Sequence, residues 1–298
     1  MGWFRTGLLC AATAATLAIP AQAEEVRLTP TANTSWIVDY ARGKCRLARY
    51  FGEEDDRYLL MFDQFQPGTY ATLTVAGREM WRYVGRDNVE LTLSPLFSAR
   101  EVRAEAVSFG DFRSAVHVRL EVAPEQEAKG ESAGYEVEGL PHIDTSRLQG
   151  NAELSFSKRN RAITFALPEL AAAFNALNTC SRDLVSSWGL DLKSQDRMRR
   201  QAEPINLREI AERIQQQYPL QALHAREQAS LALRIIVDAD GSIEECSVNE
   251  ITSTRYLHSP ACDVFGDRAM FVPAQDEHGE PIKSYYATAI VYRIDARR

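Results

Sequence analysis

From residue 34 onward, the chain contains short segments in which polar and hydrophobic residues alternate or β-branched and aromatic residues cluster. Such segments predict β-strands when turn residues separate them. Turn sequences occur at Gly52-Glu-Glu-Asp-Asp, Gln66-Pro-Gly and Gly85-Arg-Asp-Asn. Segments with strand character lie at 34–40, 44–51, 58–62 and 115–122. We therefore expect residues 34–122 to form a mainly antiparallel β domain.

Residues 124–150 interrupt this pattern, because they are rich in Glu, Gly, Ser and Gln and poor in apolar residues. That composition favours a long surface excursion without a function of its own. A strand is predicted from Ala152. Apolar residues then recur at helical spacing from Leu170 to Trp188, and Gly189 is placed to end the helix. We expect the first domain to span residues 24–188 and to close with this helix packed on the sheet.

The polar and charged residues 189–204 are interpreted as a linker. After them, Asn206 can cap a helix, with Glu209 in the reciprocal position of a capping box. Alternation from Leu231 to Val237 predicts a strand, and Asp238-Ala-Asp-Gly241 has the residues of a hairpin turn.

A returning strand at 242–248, a short helix at about 260–268 and a last strand at 285–294 follow. The order of elements is therefore α-β-β-α-β. We assign residues 205–298 to a small second domain. Together with the β-rich first domain and its closing helix, it gives the chain an α+β fold.

The composition agrees with two globular domains. The chain has 298 residues, of which 45% are hydrophobic and 25% are charged, and these proportions exclude disordered, collagen-like and multi-span membrane proteins. Because 34 Lys and Arg residues stand against 41 Asp and Glu residues, the formal net charge is −7. Without a basic surplus, we do not expect the protein to bind nucleic acid.

The first 23 residues predict an export signal. Arg5 precedes an apolar run from Gly7 to Ile19, and Ala21-Gln22-Ala23 has the pattern of a cleavage site. The run is shorter than the roughly 20 residues that a membrane-spanning helix needs, and Pro20 ends it. We therefore expect cleavage after Ala23 and a location in the bacterial periplasm. The alternative is an inner-membrane protein anchored by an uncleaved signal.

Cleavage would remove Cys10 and leave four cysteines. An even number in an exported chain indicates disulfide bonds, although four cysteines allow three pairings, and free buried thiols are the alternative. Cys45 lies on an early predicted strand and Cys180 on the predicted helix, so a strand-to-helix bridge between them is the preferred pairing. Closing a loop of about 135 residues would stabilise the fold by ~5 kcal/mol.

Motifs for catalysis or metal binding are missing from the sequence. The five histidines have no H-x-x-x-H or H-E-x-x-H spacing, and there is no nucleophile elbow, phosphate loop or dinucleotide-binding glycine pattern. The carboxylates Glu53-Glu54-Asp55-Asp56 lack the alternating spacing of a calcium loop. We expect no enzyme, cofactor or metal site. An enzyme assembled from residues distant in the sequence is the alternative.

The second domain contains a series of short motifs in a characteristic order. They are Tyr218-Pro219-x-x-Ala222, the turn at Asp240-Gly241, Ser253 and Leu257, Phe271-x-Pro273-Ala274, Gly279-x-Pro281, and the closing strand. In this order and spacing they resemble the C-terminal domain of TonB-like energy transducers. The resemblance covers about residues 205–295, roughly a third of the chain, and does not extend to the first domain.

The resemblance also implies a second disulfide. Some exported members of this wider family carry one cysteine at the end of the second strand and another on the short helix, which matches Cys246 and Cys262. Closing this loop of about sixteen residues would contribute ~3 kcal/mol and hold the helix against the sheet. Cys45 and Cys180 then remain for each other.

In function, the resemblance implies a domain that adds an extended peptide of an outer-membrane transporter to the open edge of its sheet, a mode called β-augmentation. The last strand is the expected edge. We predict that a protein partner in the envelope, or a second copy of the chain, binds there. The residues expected to contribute are Tyr285, Tyr286, Thr288, Ile290 and Tyr292.

Two features depart from the family. An energy transducer has an uncleaved N-terminal helix and a Pro-rich stalk, whereas this sequence predicts a cleavable signal and a β domain. His258 also stands where the family usually has Asp. We therefore expect a periplasmic binding module that does not transmit force. The alternatives are an envelope scaffold that dimerises through the TonB-like domain and a membrane-anchored transducer in transport.

Overall fold

A computed structural model describes residues 24–41, 43–85, 87–124, 135–252 and 254–294. The predicted export signal with its cleavage position, Cys10 and the motif residue Ser253 lie outside these ranges. Among the residues described, no helix has the length and apolar character needed to cross a membrane.

The N-terminal part consists of strands β1 to β11 followed by a long helix, α1. The elements are β1 (Glu24–Leu28), β2 (Ile37–Ala41), β3 (Lys44–Phe51), β4 (Tyr58–Gln64), β5 (Tyr70–Ala76), β6 (Val89–Ser94), β7 (Phe97–Val102), β8 (Glu105–Val107), β9 (Ala115–Glu121), β10 (Ala152–Lys158), β11 (Arg161–Leu167) and α1 (Leu170–Ser187). They form a six-stranded sheet in the order β2-β3-β4-β5-β9-β8 and a five-stranded sheet in the order β1-β11-β10-β6-β7. Only β1 and β11 pair in parallel among these strands.

The two sheets and α1 enclose one hydrophobic core. Strand β3 buries every second side chain, as alternation predicts, and α1 lays Phe174 and Leu177 into the same core. Phe62 and Phe174 meet edge to face with ring centroids 5.1 Å apart. Helix α1 ends at Ser187, and Gly189 follows with a φ of 76°, a conformation that glycine adopts without strain. The helix therefore closes this part of the fold, as the apolar spacing predicts.

The C-terminal part is a small mixed structure around a three-stranded sheet. Its elements are α2 (Leu192–Asp196), β12 (Glu203–Pro204), α3 (Leu207–Gln216), α4 (Leu220–His224), β13 (Ala229–Val237), β14 (Ile243–Glu250), α5 (Ala261–Arg268), β15 (Phe271–Val272), β16 (Ala274–Gln275), β17 (Pro281–Ile282) and β18 (Ser284–Tyr292). The sheet has the order β14-β13-β18, and all its pairs are antiparallel. The chain has both helices and sheets, and the predicted α+β class is confirmed.

A second hydrophobic core lies between this sheet and helices α3 and α5. Ile210, Ile214 and Phe265 from the helices are buried in it, together with alternate residues of β13. The other face of β13 is also buried, since Ile236 packs with Val185 from the end of α1. The sheet is thus covered on one side by its own helices and on the other by the N-terminal part.

Two disulfides join cysteines in the described residues. Cys45 on β3 is bonded to Cys180 on α1, and Cys246 on β14 is bonded to Cys262 on α5. This is the pairing preferred from the sequence. Each bond joins a strand to a helix, one in each part of the chain.

The segment interpreted as a linker is ordered and partly buried. It contains α2, and Gln195, Met198 and Ala202 are fully buried. The Gln195 amide donates to the backbone oxygen of Lys283 (2.8 Å) and accepts from the hydroxyl of Ser284 (2.7 Å). Single apolar residues in a polar stretch give no periodic signal, so the sequence alone did not indicate this packing. The domain boundaries themselves stay a prediction.

Part of the predicted surface excursion also packs against the second core. Tyr135 and Val137 contact it, and residues 135–139 bond to residues 198–201 through their backbones. At Gly139, φ is 72° and an added Cβ would lie 2.6 Å from the backbone oxygen of Asp196. Only glycine fits this close approach without displacement of the backbone. The excursion therefore connects the two parts of the molecule.

Candidate functional site

Strand β18 lies at the edge of the C-terminal sheet. In the described residues it pairs with β13 alone, with Ala229 opposite Tyr292 and Val237 opposite Ser284. The side of β18 that faces away from β13 therefore presents backbone groups that have no partner strand. Such an edge is a template for pairing with another strand.

The hydrogen bonds of β13 reveal which residues of β18 face outward. The carbonyl of Ser230 accepts from the backbone N–H groups of Ile251 and Thr252, so Ser230 directs its backbone toward β14. Because backbone direction alternates along a strand, odd-numbered residues of β13 face β18, and Leu231 bonds to its partner Ile290. Even-numbered residues of β18 therefore bond to β13. The outward backbone groups belong to Tyr285, Ala287, Ala289 and Val291.

The side chains predicted to contribute to the edge lie in two different environments. Tyr285, Tyr286 and Tyr292 are buried in hydrophobic clusters, whereas Thr288 and Ile290 are half-buried. Burial raises the pKa of Tyr286 to about 12. It raises the pKa of Tyr285 further above the usual range, because burial alone acts on this hydroxyl. The three tyrosines hold β18 in place. A partner strand would meet the backbone of Tyr285, whereas the backbone groups of Tyr286 and Tyr292 face β13.

Two cavities follow the edge of β18. A groove of about 990 Å³ is lined by Tyr285–Ala289, and a cavity of about 580 Å³ by Val291, Tyr292 and Arg293. Much of the opposite walls of both comes from the N-terminal part. In the groove these walls are residues 66–70, 119–124 and 135–144. Ligand pockets usually measure roughly 300–1,000 Å³, so the groove is large enough for a short extended segment.

The cavity at the end of β18 contains a buried polar cluster. His117 accepts from or donates to the hydroxyl of Thr74 through Nδ1 (3.0 Å). Asp63 accepts from Nε (2.7 Å) and Nη2 (2.6 Å) of Arg46, and from Nζ of Lys44 (3.2 Å). Burial lowers the pKa of His117 to about 4, against the opposing attraction of Asp63. His117 is therefore neutral at pH 7.

The family-motif residues of the sequence occupy structural positions. Tyr218 packs edge to face on Tyr292, and its hydroxyl donates to the carbonyl of Glu227. Pro219 precedes α4. Asp240 accepts from the backbone N–H of Ser242 in the β13–β14 turn, where the hydroxyl and N–H of Ser242 lower the pKa of Asp240.

The remaining motif residues fix the connection to β18. Gly241 has a φ of 86°, and an added Cβ would lie 2.6 Å from the carbonyl oxygen of Phe271. Phe271 is in β15, Pro273 follows it, and Ala274 is fully buried in β16. These residues shape the sheet and the turn behind it. Phe271 also packs against Tyr286 of β18, with ring centroids 5.6 Å apart.

The other candidate sites of the sequence do not form clusters. In the part of the chain that the structure describes, no group of three or more His, Cys, Asp or Glu side chains is arranged to hold a metal. Glu53, Glu54 and Asp55 are exposed in a 3-10 turn. Asn206 begins α3 but bonds to the backbone of Arg268 and Met270 instead of capping its own helix.

Residues 214–294 match the family model described as Gram-negative bacterial TonB protein C-terminal. The C-terminal domain is TonB-like. The family predicted from the motifs is thereby confirmed for this part of the chain, and such domains are typical of envelope proteins. No curated protein and no solved structure matches the chain.

Sequence reasoning missed the walls that face the edge of the TonB-like domain. Residues 66–70 lie in a turn and at the start of β5, residues 119–124 at and beyond the end of β9, and residues 135–144 in the predicted excursion. They reach β18 only through the tertiary structure. The composition of residues 124–150, rich in Glu, Gly, Ser and Gln, was the one signal available. It was read as that of a surface loop, since composition does not reveal what a loop faces.

Proposed function

We propose that the protein is a periplasmic, non-enzymatic binding protein whose TonB-like domain adds a peptide strand of an envelope partner, such as an outer-membrane transporter, to the free edge of β18. One observation supports this most strongly: β18 is a nine-residue edge strand without a charged residue. Natural edge strands are usually short, charged or covered, because an uncharged edge pairs with other chains. The backbone groups of Tyr285, Ala287, Ala289 and Val291 would supply the pairing.

The other edge strands follow the protective pattern. Each of β1, β7, β2, β8 and β14, the outer strands of the three larger sheets, carries at least one charged residue. Strand β8 is also only three residues long. Among the described outer strands of these three sheets, β18 is thus the one without a charged residue.

Photocrosslinking tests this proposal. A photoreactive amino acid replaces Ala289, whose backbone faces outward, and a control replaces Glu250, which is exposed on β14 at the opposite edge. We expect the first protein, in native envelopes, to crosslink an extended segment of one envelope protein, and the control not to do so. Equal crosslinking from both positions would contradict binding at the edge.

A proline variant tests whether the partner binds by strand addition. Ala289→Pro removes one outward N–H and leaves the bonds to β13 intact. Crosslinking from a probe at Val291 should then fall by about tenfold, as the loss of one to two hydrogen bonds implies. Unchanged crosslinking in a folded Ala289→Pro protein would exclude strand addition.

The second candidate function is a scaffold that dimerises through the same domain. The uncharged edge favours it too, because two β18 strands would pair without repulsion. Crosslinks from position 289 that join only two copies of the chain would identify this function and overturn partner binding.

The proposal also includes export with cleavage after Ala23. Mass spectrometry of the purified protein should give a mature N-terminus at Glu24. A start at Met1 or Gly2 would instead support the membrane-anchored transducer.

A further inference from the structure

The first half of the free edge of β18 lies in a groove between two parts of the molecule. Tyr285–Ala289 form one side, and residues 119–124 and 135–144 form much of the other. The groove is held together by backbone bonds, including those from Val137 to Arg199 (2.9 Å) and from Gly139 to Met198 (2.8 Å). A strand that pairs with the edge would therefore meet a fixed wall on its far side.

This wall is acidic. Its carboxylates are Glu121, Glu136, Glu138 and Asp144, and Arg119 is the one Lys or Arg among the described residues that line the groove. Arg119 stacks over the ring of Tyr70 at 4.7 Å. The backbone N–H and hydroxyl of Ser146 lower the pKa of Asp144, so this carboxylate is ionised at neutral pH. Glu136 and Glu138, which line the groove, are exposed.

We propose that the strand bound along β18 is basic, and that the acidic wall selects it by charge. This inference rests on the proposed function, which it deepens by naming the chemistry of the partner. The N-terminal part would then take part in partner selection, because it contributes the acidic wall that the TonB-like domain lacks.

The geometry of strands supports a selection by side chains. Five paired residues extend about 17 Å, and successive side chains point to opposite faces of the sheet. The long stems of Lys and Arg can lie along the groove while their charged ends reach carboxylates on its wall. Attraction between a basic strand and the acidic wall also speeds association, and repulsion by the wall disfavours acidic partners.

The same chemistry argues against a second copy as the occupant. The segment Tyr285–Tyr292 contains no Lys or Arg, so pairing of two β18 strands would place nothing basic against the wall. The four carboxylates would then face an uncharged strand and lose hydration without gaining a partner.

Two fluorescent peptides of equal length test the inference, one alternating Thr and Lys and the other alternating Thr and Glu. Binding to the oxidised protein is measured by anisotropy. We expect the Lys peptide to bind at least about tenfold more tightly, as two added ion pairs of about 0.7 kcal/mol each imply, and to weaken as salt increases.

Variants separate the wall from the edge. Glu136→Gln combined with Glu138→Gln should weaken binding of the Lys peptide by about fivefold. The matched control, Glu53→Gln combined with Glu54→Gln, makes the same charge change at an exposed turn outside the groove and should leave binding unchanged. Ala289→Pro should weaken both peptides.

Each outcome decides between the two proposals. If both peptides bind equally and Ala289→Pro weakens both, strand addition stands and selection by charge is wrong. If the Lys peptide binds but Ala289→Pro has no effect, the carboxylates only adsorb cations, and both proposals are wrong. Equal loss of binding in the control variant would show a general effect of net charge and overturn the role of the wall. If neither peptide binds, both proposals are overturned.

Discussion

The two edges of the C-terminal sheet differ in nearly every respect. Strand β14 carries Glu244, Glu245 and Glu250, and a disulfide from Cys246 to Cys262 holds it against α5. Strand β18 carries no charge, is not joined to a helix by a disulfide, and faces two cavities. Charges on an edge strand protect it from unwanted pairing, so their absence at β18 marks the edge that is available. We therefore expect a partner strand to pair with β18 and not with β14.

Removal of the disulfides should give the largest changes in the free energy of unfolding. Replacing Cys45 and Cys180 by Ala should lower the free energy of unfolding by about 5 kcal/mol, because the bond closes a long loop, and replacing Cys246 and Cys262 by about 3 kcal/mol. Denaturant titration of both double variants measures the difference. We expect only the second pair to loosen β14, seen as faster amide exchange there. Equal losses would mean that loop length does not set the stabilisation.

Acidification should weaken the walls around the end of β18. His117 is neutral in the fold, with a pKa of about 4, and has an ordinary value near 6.5 when unfolded. Its contribution is fully present above pH 6.5 and is lost as the pH falls toward 4, because the unfolded chain then binds the proton. The loss is about 3 kcal/mol.

The pH dependence is measured by urea titration between pH 7 and pH 4. In His117→Gln, the slope of the free energy of unfolding between these pH values should be smaller than in the parent protein. Parallel slopes in the two proteins would show that another group is responsible.

Two neighbouring proline variants test which side of β18 is free. Thr288→Pro removes a bond to β13 and leaves a buried carbonyl without its donor, so it should cost about 2–3 kcal/mol. Ala289→Pro removes only an outward N–H and should cost less than about 1 kcal/mol. Thermal denaturation compares them. The reverse order would mean that the assignment of outward residues is wrong.

Tyr285→Phe gives the smallest expected effect. The Tyr285 hydroxyl is buried and has no hydrogen-bond partner among the described residues. Removing it should raise the free energy of unfolding by about 1 kcal/mol, because an unsatisfied buried hydroxyl is unfavourable. Denaturant titration measures this change. A loss of stability would show that the hydroxyl has a partner, and it would make Tyr285 part of the groove chemistry.

Local pattern was sufficient for much of the fold. Alternation at residues 44–51 predicted β3 with its boundaries, and the turn at Asp240-Gly241 predicted the β13–β14 hairpin. Residues 189–204 could not be placed in the same way, because Gln195, Met198 and Ala202 are buried one by one in a polar stretch. The five-stranded sheet also escaped prediction, since it joins β1 to β11, which lie more than a hundred residues apart.

The candidate site likewise has some features that the local sequence determines and others that depend on tertiary contacts. The sequence by itself determined that the last strand is long, because this property belongs to consecutive residues, and the structure ends the strand at Tyr292, before Arg293. The tertiary structure decided that this strand is an edge, which residues direct their backbone outward, and that an acidic wall faces it. Which strands pair and which residues face each other depend on contacts between residues far apart in the chain. No local pattern encodes such contacts.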